Sequence, residues 1–339
     1  MEDVFRFADE LGPTKIIHVY EPSVGLKAVL VVDNVARGPA IGGLRMAPDV
    51  SMGECFRLAR AMTLKNAAAD LPHGGGKSVI YGDPKMLKNE KEKLIRALAS
   101  SLREIQEYIF APDMGTDEEC MAWVKDEIGR VVGLPSDFGG IPLDEIGATG
   151  WGLSHVTEVA LEYCDFDLEG ARVVVQGFGA VGKHVARFLT EKGAMLVGVA
   201  DSRGTIYNPQ GVDVEALIKL KKAGKSVADY PTGKKLDRDA VINIECEIWI
   251  PAARPDVIDK NNVNRLKAKL VIEGANIPIT YGAEKYLHEV CRNTRLVLED
   301  AATKGILPRE AAVDLAVHRL KKSMSYRRWS LYSSAPGFV

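Results

Sequence analysis

"VVVQGFGAVGKHVARFL", Val173–Leu189, decides how half of this chain folds. Three valines in a row read as a buried strand, and the run that follows Gly182 spaces its apolar residues as a helix does. Between them each glycine has a task. Gly177 permits a tight turn, Gly179 admits a pyrophosphate to the backbone, and Gly182 lets the helix lie against the sheet. Ala180 and Val181 open that helix, whose first amides would face an anion. "MLVGVAD" then reads as a second strand ending in Asp201. An acidic residue about 20 positions on can accept bonds from both hydroxyls of a ribose. A 2′-phosphate would be repelled there, which favours NAD over NADP, while Arg203 supplies a charge that could pair with such a phosphate.

Working outward, "CEIWIPAA" and "KLVIEGAN" are further apolar strands, so this half is expected to be a doubly wound parallel sheet. Upstream, "KAVLVVDN" reads as a buried strand and "MGECFRLARAMTLKNAAA" as a helix. "KSVIYGDP" is a short strand and "EKEKLIRALASSLREIQEYI" an amphipathic helix. The glycine-rich run "FGGIPLDEIGATGWG" reads as a hinge at about residues 138–152. The expected fold class is α/β with two domains, since 339 residues exceed what one core usually holds. Residues 1–145 form the first, with a C-terminal helix at 313–339 returning to it, and residues 146–312 form the second.

Composition narrows the function. A formal net charge of −2 argues against a nucleic-acid or polyanion binder. No leader-like progression opens the sequence and no apolar run could span a bilayer, so a cytoplasmic protein is expected. Five cysteines lack C-x-x-C spacing and suit a reducing compartment. The six histidines form no ligand pattern, and no metal is expected.

"LPHGGGKSVIYGDP", Leu71–Pro84, delivers one lysine on a glycine platform. A phosphate loop would need a glycine where Leu71 stands, so that reading fails on spacing. What remains is Lys77, Lys65 on the preceding helix, and Asp113 in a later loop. Two lysines converging on one pocket would disfavour each other's charge and lower at least one proton affinity. A lysine brought toward neutrality can act as a general base while its charged partner grips a carboxylate.

"RAMTLKNAAADLPHGGGKSVIYGDP", "APDMGT", "GATGWG", "QGFGAVG", "ADSRGTIYNPQG" and "EGANIPIT", in this order, resemble the glutamate/leucine/phenylalanine/valine dehydrogenase family. The resemblance implies a substrate domain followed by a Rossmann domain, with a cleft between them. It also implies reversible, NAD(P)-linked oxidative deamination of an L-amino acid to a 2-oxo acid and ammonia. Carried over by motif, Lys65 would hold the substrate α-carboxylate, with Met62 beside it. Lys77 would activate water against the imino intermediate, and Asp113 would shuttle protons to and from the amino group. Thr149, Ala252 and Asn276 would contact the cofactor. Hydride transfer belongs to the nicotinamide, so the protein supplies alignment and a dry cleft. Family members are usually hexamers or octamers, so a homo-oligomer is expected.

Substrate choice is argued from "GPAIGGLRM", Gly38–Met46. Glutamate-using relatives resemble this run but place a lysine where Ile41 stands, beside Gly42. A buried carboxylate without a cation is costly, whereas an aliphatic or aromatic side chain such as that of leucine or valine would pack on isoleucine. Ala111, before Asp113, is a further candidate for the side-chain pocket. Glutamate is the alternative substrate.

One junction departs from the family. After "EGANIPITYGAEKYLHE" the chain passes at Glu289 straight to "VCRNTRLVLEDAATKGILPREAA". That run resembles a stretch further along the family sequence, beyond a segment carrying "NAGGV". A true deletion there would remove one wall of the cleft and leave a catalytically impaired NAD-binding protein, the alternative from another functional class.

Overall fold

The computed structural model describes residues 5–141, 143–280, 283 and 295–326. The chain divides into two compact units, Met1–Pro142 with Val313–Val339, and Leu143–Ala312. The junction after Glu289 lies outside the described residues.

The first unit is built on five strands: β1 (Lys15–Glu21), β2 (Leu26–Asn34), β3 (Ala40–Ala47), β4 (Gly74–Tyr81) and β5 (Tyr108–Pro112). Their order in the sheet is β1-β2-β4-β3-β5, with β1, β2 and β4 antiparallel in turn and β3 parallel to β4 and β5. Helix α1 (Met52–Ala68) covers one face, where Cys55 and Ala59 pack on Val29, Val31 and Val79. Helices α2 (Lys88–Ser101) and α3 (Glu118–Ile128) cover the other, packing on Leu30, Leu44, Ile80 and Phe110.

Two sequence expectations shift here. The strand expected to begin at Lys77 begins at Gly74, so all three glycines lie inside it. The helix expected over "EKEKLIRALASSLREIQEYI" stops at Ser101, and Tyr108 and Ile109 join the sheet as part of β5. A short aromatic and β-branched run cannot be told from helix by periodicity, and the open edge of β3 decides.

The glycines set how closely α1 approaches the sheet. A Cβ on Gly75 would lie 2.0 Å from the Thr63 backbone nitrogen, and one on Gly43 would lie 2.6 Å from the Asp113 Cβ. Beneath that contact Asp33 is fully buried on β2. It accepts from Arg60 Nε at 2.8 Å and Thr63 Oγ1 at 2.6 Å, which pins α1 to the sheet.

The second unit begins with α4 (Leu143–Ile146) and α5 (Ala148–Leu161), so part of the glycine-rich run expected as hinge is helical. Its sheet comprises β6 (Arg172–Gln176), β7 (Met195–Asp201), β8 (Gly204–Tyr207), β9 (Lys234–Leu236), β10 (Cys246–Pro251) and β11 (Ala268–Val271). The order is β11-β10-β6-β7-β8-β9. The four strands from β11 to β7 run parallel, whereas β8 and β9 are antiparallel additions. The parallel sheet expected from sequence is present from β11 to β7 and gains an antiparallel edge: only Ser202 and Arg203 separate β7 from β8, and a connection that short can make only a hairpin. Helix α6 (Ala180–Glu191) joins β6 to β7, and α7 (Val214–Lys222) follows β8.

Helix α8 (Arg295–Lys304) precedes α9 (Pro308–Tyr326), whose later turns pack on the first unit. There Ala316 and Leu320 bury with Leu11 and Ala67, and Arg319 Nη1 donates to Ala67 O at 3.0 Å and Ala68 O at 2.7 Å. The guanidinium adds donors to carbonyls in the last turn of α1, where Ala67 O also accepts from Asp70 N at 3.1 Å. No helix among the described residues is long and apolar enough to cross a membrane.

Gly75→Val should destabilise the protein by about 1–3 kcal/mol in urea unfolding, since the new side chain meets helix backbone that cannot yield.

Candidate active site

Alternation along three parallel strands sends one set of side chains to the α1 face. Ile41, Gly43 and Arg45 share it on β3; Gly75, Lys77 and Val79 share it on β4; Ile109 and Ala111 share it on β5. In register, Ile41 lies between Gly75 and Ile109, and Gly43 lies beside Ala111. Asp113 follows the end of β5, and Gly43 leaves the room it occupies. Its turn is latched to β3, for Asp113 N donates to Thr116 Oγ1 at 3.0 Å and Thr116 Oγ1 donates to Leu44 O at 2.7 Å. Gly42 faces the other way, its carbonyl accepting from the buried Tyr108 hydroxyl at 2.8 Å.

These elements bring Lys77 and Asp113 together. Lys77 is 2% exposed, and its Nζ lies 2.5 Å from Asp113 Oδ2. Arg45 Nε donates to the same oxygen at 3.0 Å, and Arg45 Nη1 pairs with Glu54 on α1. Ser51 caps that helix, accepting from Glu54 N at 3.1 Å, and so fixes the turn that carries Glu54. Arg45 and Glu54 were not singled out from sequence. With β3 known as a strand, Arg45 stands two and four positions beyond Gly43 and Ile41 and shares their face.

Burial pushes the Lys77 ammonium below the ordinary lysine range; Asp113 opposes the shift and Arg45 adds to it. Burial would raise the Asp113 carboxyl, but Lys77 and Arg45 outweigh it and hold the group below the usual range. Lys65, in the last turn of α1, is lowered by burial against the pull of Asp113. By its surface area Lys65 is nonetheless exposed to solvent. The sequence argument had the two lysines disfavouring each other's charge and lowering at least one; burial is instead the first cause for both, and the second cation acting on Lys77 is Arg45. Beside them, burial pushes the Cys55 thiol up to about 12, and its Sγ donates to Lys77 O at 3.3 Å. That thiol stays protonated and inert. Met62 lies one turn before Lys65 on α1, half-buried, and Ala111 is half-buried on β5.

In the second unit the glycine turn fits a dinucleotide. Gly177 has φ +97°, and a Cβ on Gly182 would lie 1.8 Å from Gly177 O, whereas one on Gly179 would meet nothing within 4 Å. Gly179 heads α6, and no side chain caps that helix, so its first amides are available to an anion. Ala252 N donates to Gln176 O at 2.8 Å, and a Cβ on Gly274 would touch Val181 and Ala252. The ends of β6 and β10 and the turn after β11 therefore line one crevice with Val181. Thr149 stands exposed in the first turn of α5, and Asn276 is half-buried after β11.

Asp201 departs from expectation. Its carboxylate was read as free for two ribose hydroxyls, but both oxygens are engaged. Oδ1 accepts from Arg203 N at 2.9 Å and Ser226 Oγ at 2.8 Å; Oδ2 accepts from Lys221 Nζ at 2.7 Å and Val227 N at 3.0 Å. Lys221 neutralises the charge that was to repel a 2′-phosphate.

This fold, with an anion cradle on one unit and a buried ammonium–carboxylate pair on the other, is the two-domain architecture of the amino acid dehydrogenases. The chain belongs to the Glutamate/Leucine/Phenylalanine/Valine dehydrogenase family, whose model matches residues 139–305 and whose dimerisation-domain model matches residues 13–130. It is 42% identical over 267 residues to a glutamate dehydrogenase of Aeropyrum pernix, covering 75% of this chain and 64% of that one. An NADP-specific glutamate dehydrogenase of Saccharolobus shibatae is 38% identical over 269 residues, covering 76% of this chain and 63% of that one. The chain thus spans just under two thirds of the length of these curated relatives. Among solved structures, the hetero-hexameric glutamate dehydrogenase of Thermus thermophilus in a Leu-bound form superposes with a TM-score of 0.86. It is 30% identical, over 94% of this chain and 91% of that one.

Burial would raise the Asp201 carboxyl, but Lys221, Val227, Arg203 and Ser226 outweigh it and hold the group at about 2. A carboxylate lowered from its unfolded value of about 3.9 stabilises the fold above that pH and loses its effect as pH falls toward the folded value. Asp201→Asn should therefore unfold at lower urea than the parent at neutral pH, and the gap should close between about pH 4 and 2.

Proposed function

We propose that this protein catalyses the reversible, nicotinamide-dinucleotide-linked oxidative deamination of an L-amino acid to its 2-oxo acid and ammonia. The observation that carries this reading is the buried Lys77 ammonium, 2.5 Å from Asp113, with Lys65 on α1 within the field of that carboxylate. In this reading the first unit takes the amino acid and the second the dinucleotide. Lys65 grips the α-carboxylate as a charged anchor. Lys77, driven toward neutrality by burial, takes the proton of the water that attacks the imino carbon. Asp113 passes a proton to and from the departing nitrogen. When bound on the cradle of Gly177, Gly179 and Gly182, with Ala180 and Val181 at its phosphates, the dinucleotide supplies the hydride acceptor. Thr149, Ala252 and Asn276 are assigned to its nicotinamide end.

Discrimination between NAD and NADP is taken to be weak, because Asp201 is neutralised by Lys221 and Arg203 adds an exposed cation nearby. Assembly is taken to be a homo-oligomer, a hexamer or octamer as the family resemblance implies, and the compartment the cytoplasm.

The substrate side chain is assigned as aliphatic or aromatic, as in leucine or valine. The support is the row Ile109, Ile41 and Gly75 on the α1 face, an apolar wall beside the lysine–aspartate pair. A carboxylate side chain placed there would lose its hydration without gaining a cation. Glutamate is the second reading, favoured by the names of the relatives.

The test is reduction of NAD and of NADP, followed by absorbance, with leucine, valine, phenylalanine and glutamate offered separately. Turnover with the apolar amino acids and little with glutamate is expected; turnover with glutamate alone would overturn the role of Ile41. Silence with all four would favour the catalytically impaired dinucleotide-binding protein. In the active case, Ile41→Lys should lower kcat/KM for leucine by about tenfold or more and raise it for glutamate, because the new ammonium suits only the acidic side chain.

A further inference from the structure

We propose that Arg45 is a positioning residue of the reaction, holding the Asp113 carboxylate in its working orientation and itself held by Glu54. The inference rests on the amino acid dehydrogenase reading. Its ground is geometric: Arg45 is 4% exposed, and its guanidinium spans two carboxylates that come from different elements. Nε donates to Asp113 Oδ2 at 3.0 Å, the oxygen that also meets Lys77 Nζ at 2.5 Å, while Nη1 pairs with Glu54 on α1. With one oxygen fixed from two sides, the Asp113 side chain cannot turn about its own axis, and its other oxygen keeps a constant direction.

The planar fork of arginine suits this bridge and the single ammonium of lysine does not, because one nitrogen cannot reach both partners along fixed directions. Arg45 thus joins two carboxylates, Asp113 and Glu54, and Lys77 meets the first of them. Such a cluster adds little to stability compared with apolar packing, which leaves placement of the reacting groups as its use.

The groups that face Asp113 are Lys77 on β4, Arg45 on β3 and Lys65 on α1; Tyr108 on β5 also feels its charge. Cys55 and Glu54 on α1 stand behind Lys77 and Arg45. Of these, Arg45 acts on both members of the proton-transferring pair in one sense: it helps Asp113 stay ionised and helps Lys77 lose its proton. Without it both groups bind protons more tightly, so the acid limb of the pH profile must move to higher pH.

The experiment compares the full-length protein with Arg45→Met, Arg45→Lys and the double variant Arg45→Met/Glu54→Met, which removes one charge of each sign and stays folded if the single variant does not. Expected for Arg45→Met and for the double variant is a fall in kcat on the order of a hundredfold, as for a misplaced catalytic group. KM for the amino acid should stay within about threefold, because the Lys65 anchor is untouched. The acid limb of kcat/KM should rise by about one unit. Arg45→Lys should bring back the limb, which needs only charge, and little of kcat, which needs the bridge. Titration of the Asp113 carboxyl by 13C NMR reads the same shift without turnover, so an inactive parent would sink the reaction assigned to this site while Arg45 was still tested. A folded variant lacking Arg45 with kcat within about threefold of the parent, or an Asp113 titration that does not move, would overturn the proposal.

Discussion

The first unit depends on one close approach. Helix α1 lies against β4 where Gly75 carries no side chain, and this contact seals Lys77 under the helix. Taking an ammonium out of water is expensive unless a carboxylate meets it at hydrogen-bond distance, and Asp113 does. Gly43 then has to be glycine for the same reason from the other side, since Asp113 fills the space a Cβ would need. Pairing alone would leave two cations on one carboxylate, and Glu54 balances the second. The acid–base pair is thus the outcome of a packing decision. A helix that could not come so near would leave Lys77 in water with its ordinary affinity for protons.

The same logic anchors α1 along its length. Asp33, fully buried, is met by Arg60 and Thr63 from the middle of the helix, and Arg319 from α9 satisfies carbonyls at its C-terminus, near Lys65. The helix that carries the candidate carboxylate anchor is therefore held in the middle and at its C-terminal end by polar contacts of fixed geometry. Such contacts add modestly to stability but leave few alternative positions for the side chains they align. In the second unit a cradle of similar economy is made from backbone alone: a glycine at positive φ, an uncapped helix start and a helix pressed onto the turn.

Much of this was legible in the chain because the signals are local. The strand, turn and helix around Gly177–Gly182 follow from apolar runs and glycine spacing that any neighbourhood would read the same way. The C-terminal helix was expected to return to the first unit, where Ala316 and Leu320 bury with Leu11 and Ala67. Less legible was β5, whose few residues look helical until an open strand edge claims them. Strand β3, rich in glycine, gave no β signal of its own. Arg45 was overlooked for that reason, since the period-two alternation that places it beside Asp113 applies only once β3 is known to be a strand.

What the sequence determined by itself is the set of chemical possibilities: a lysine on a glycine platform, an aspartate in a turn, and an acidic residue after a glycine-rich helix start. The tertiary structure decided which of those groups are engaged and by whom. Asp201 had the position for a ribose ligand, yet Lys221, Ser226 and Val227, all remote in sequence, already occupy it. Lys77 had no special chemistry until α1 closed over it. Spacing along a chain is fixed by covalent geometry, whereas desolvation and ion pairing depend on what folds back from elsewhere, and that is read only in three dimensions.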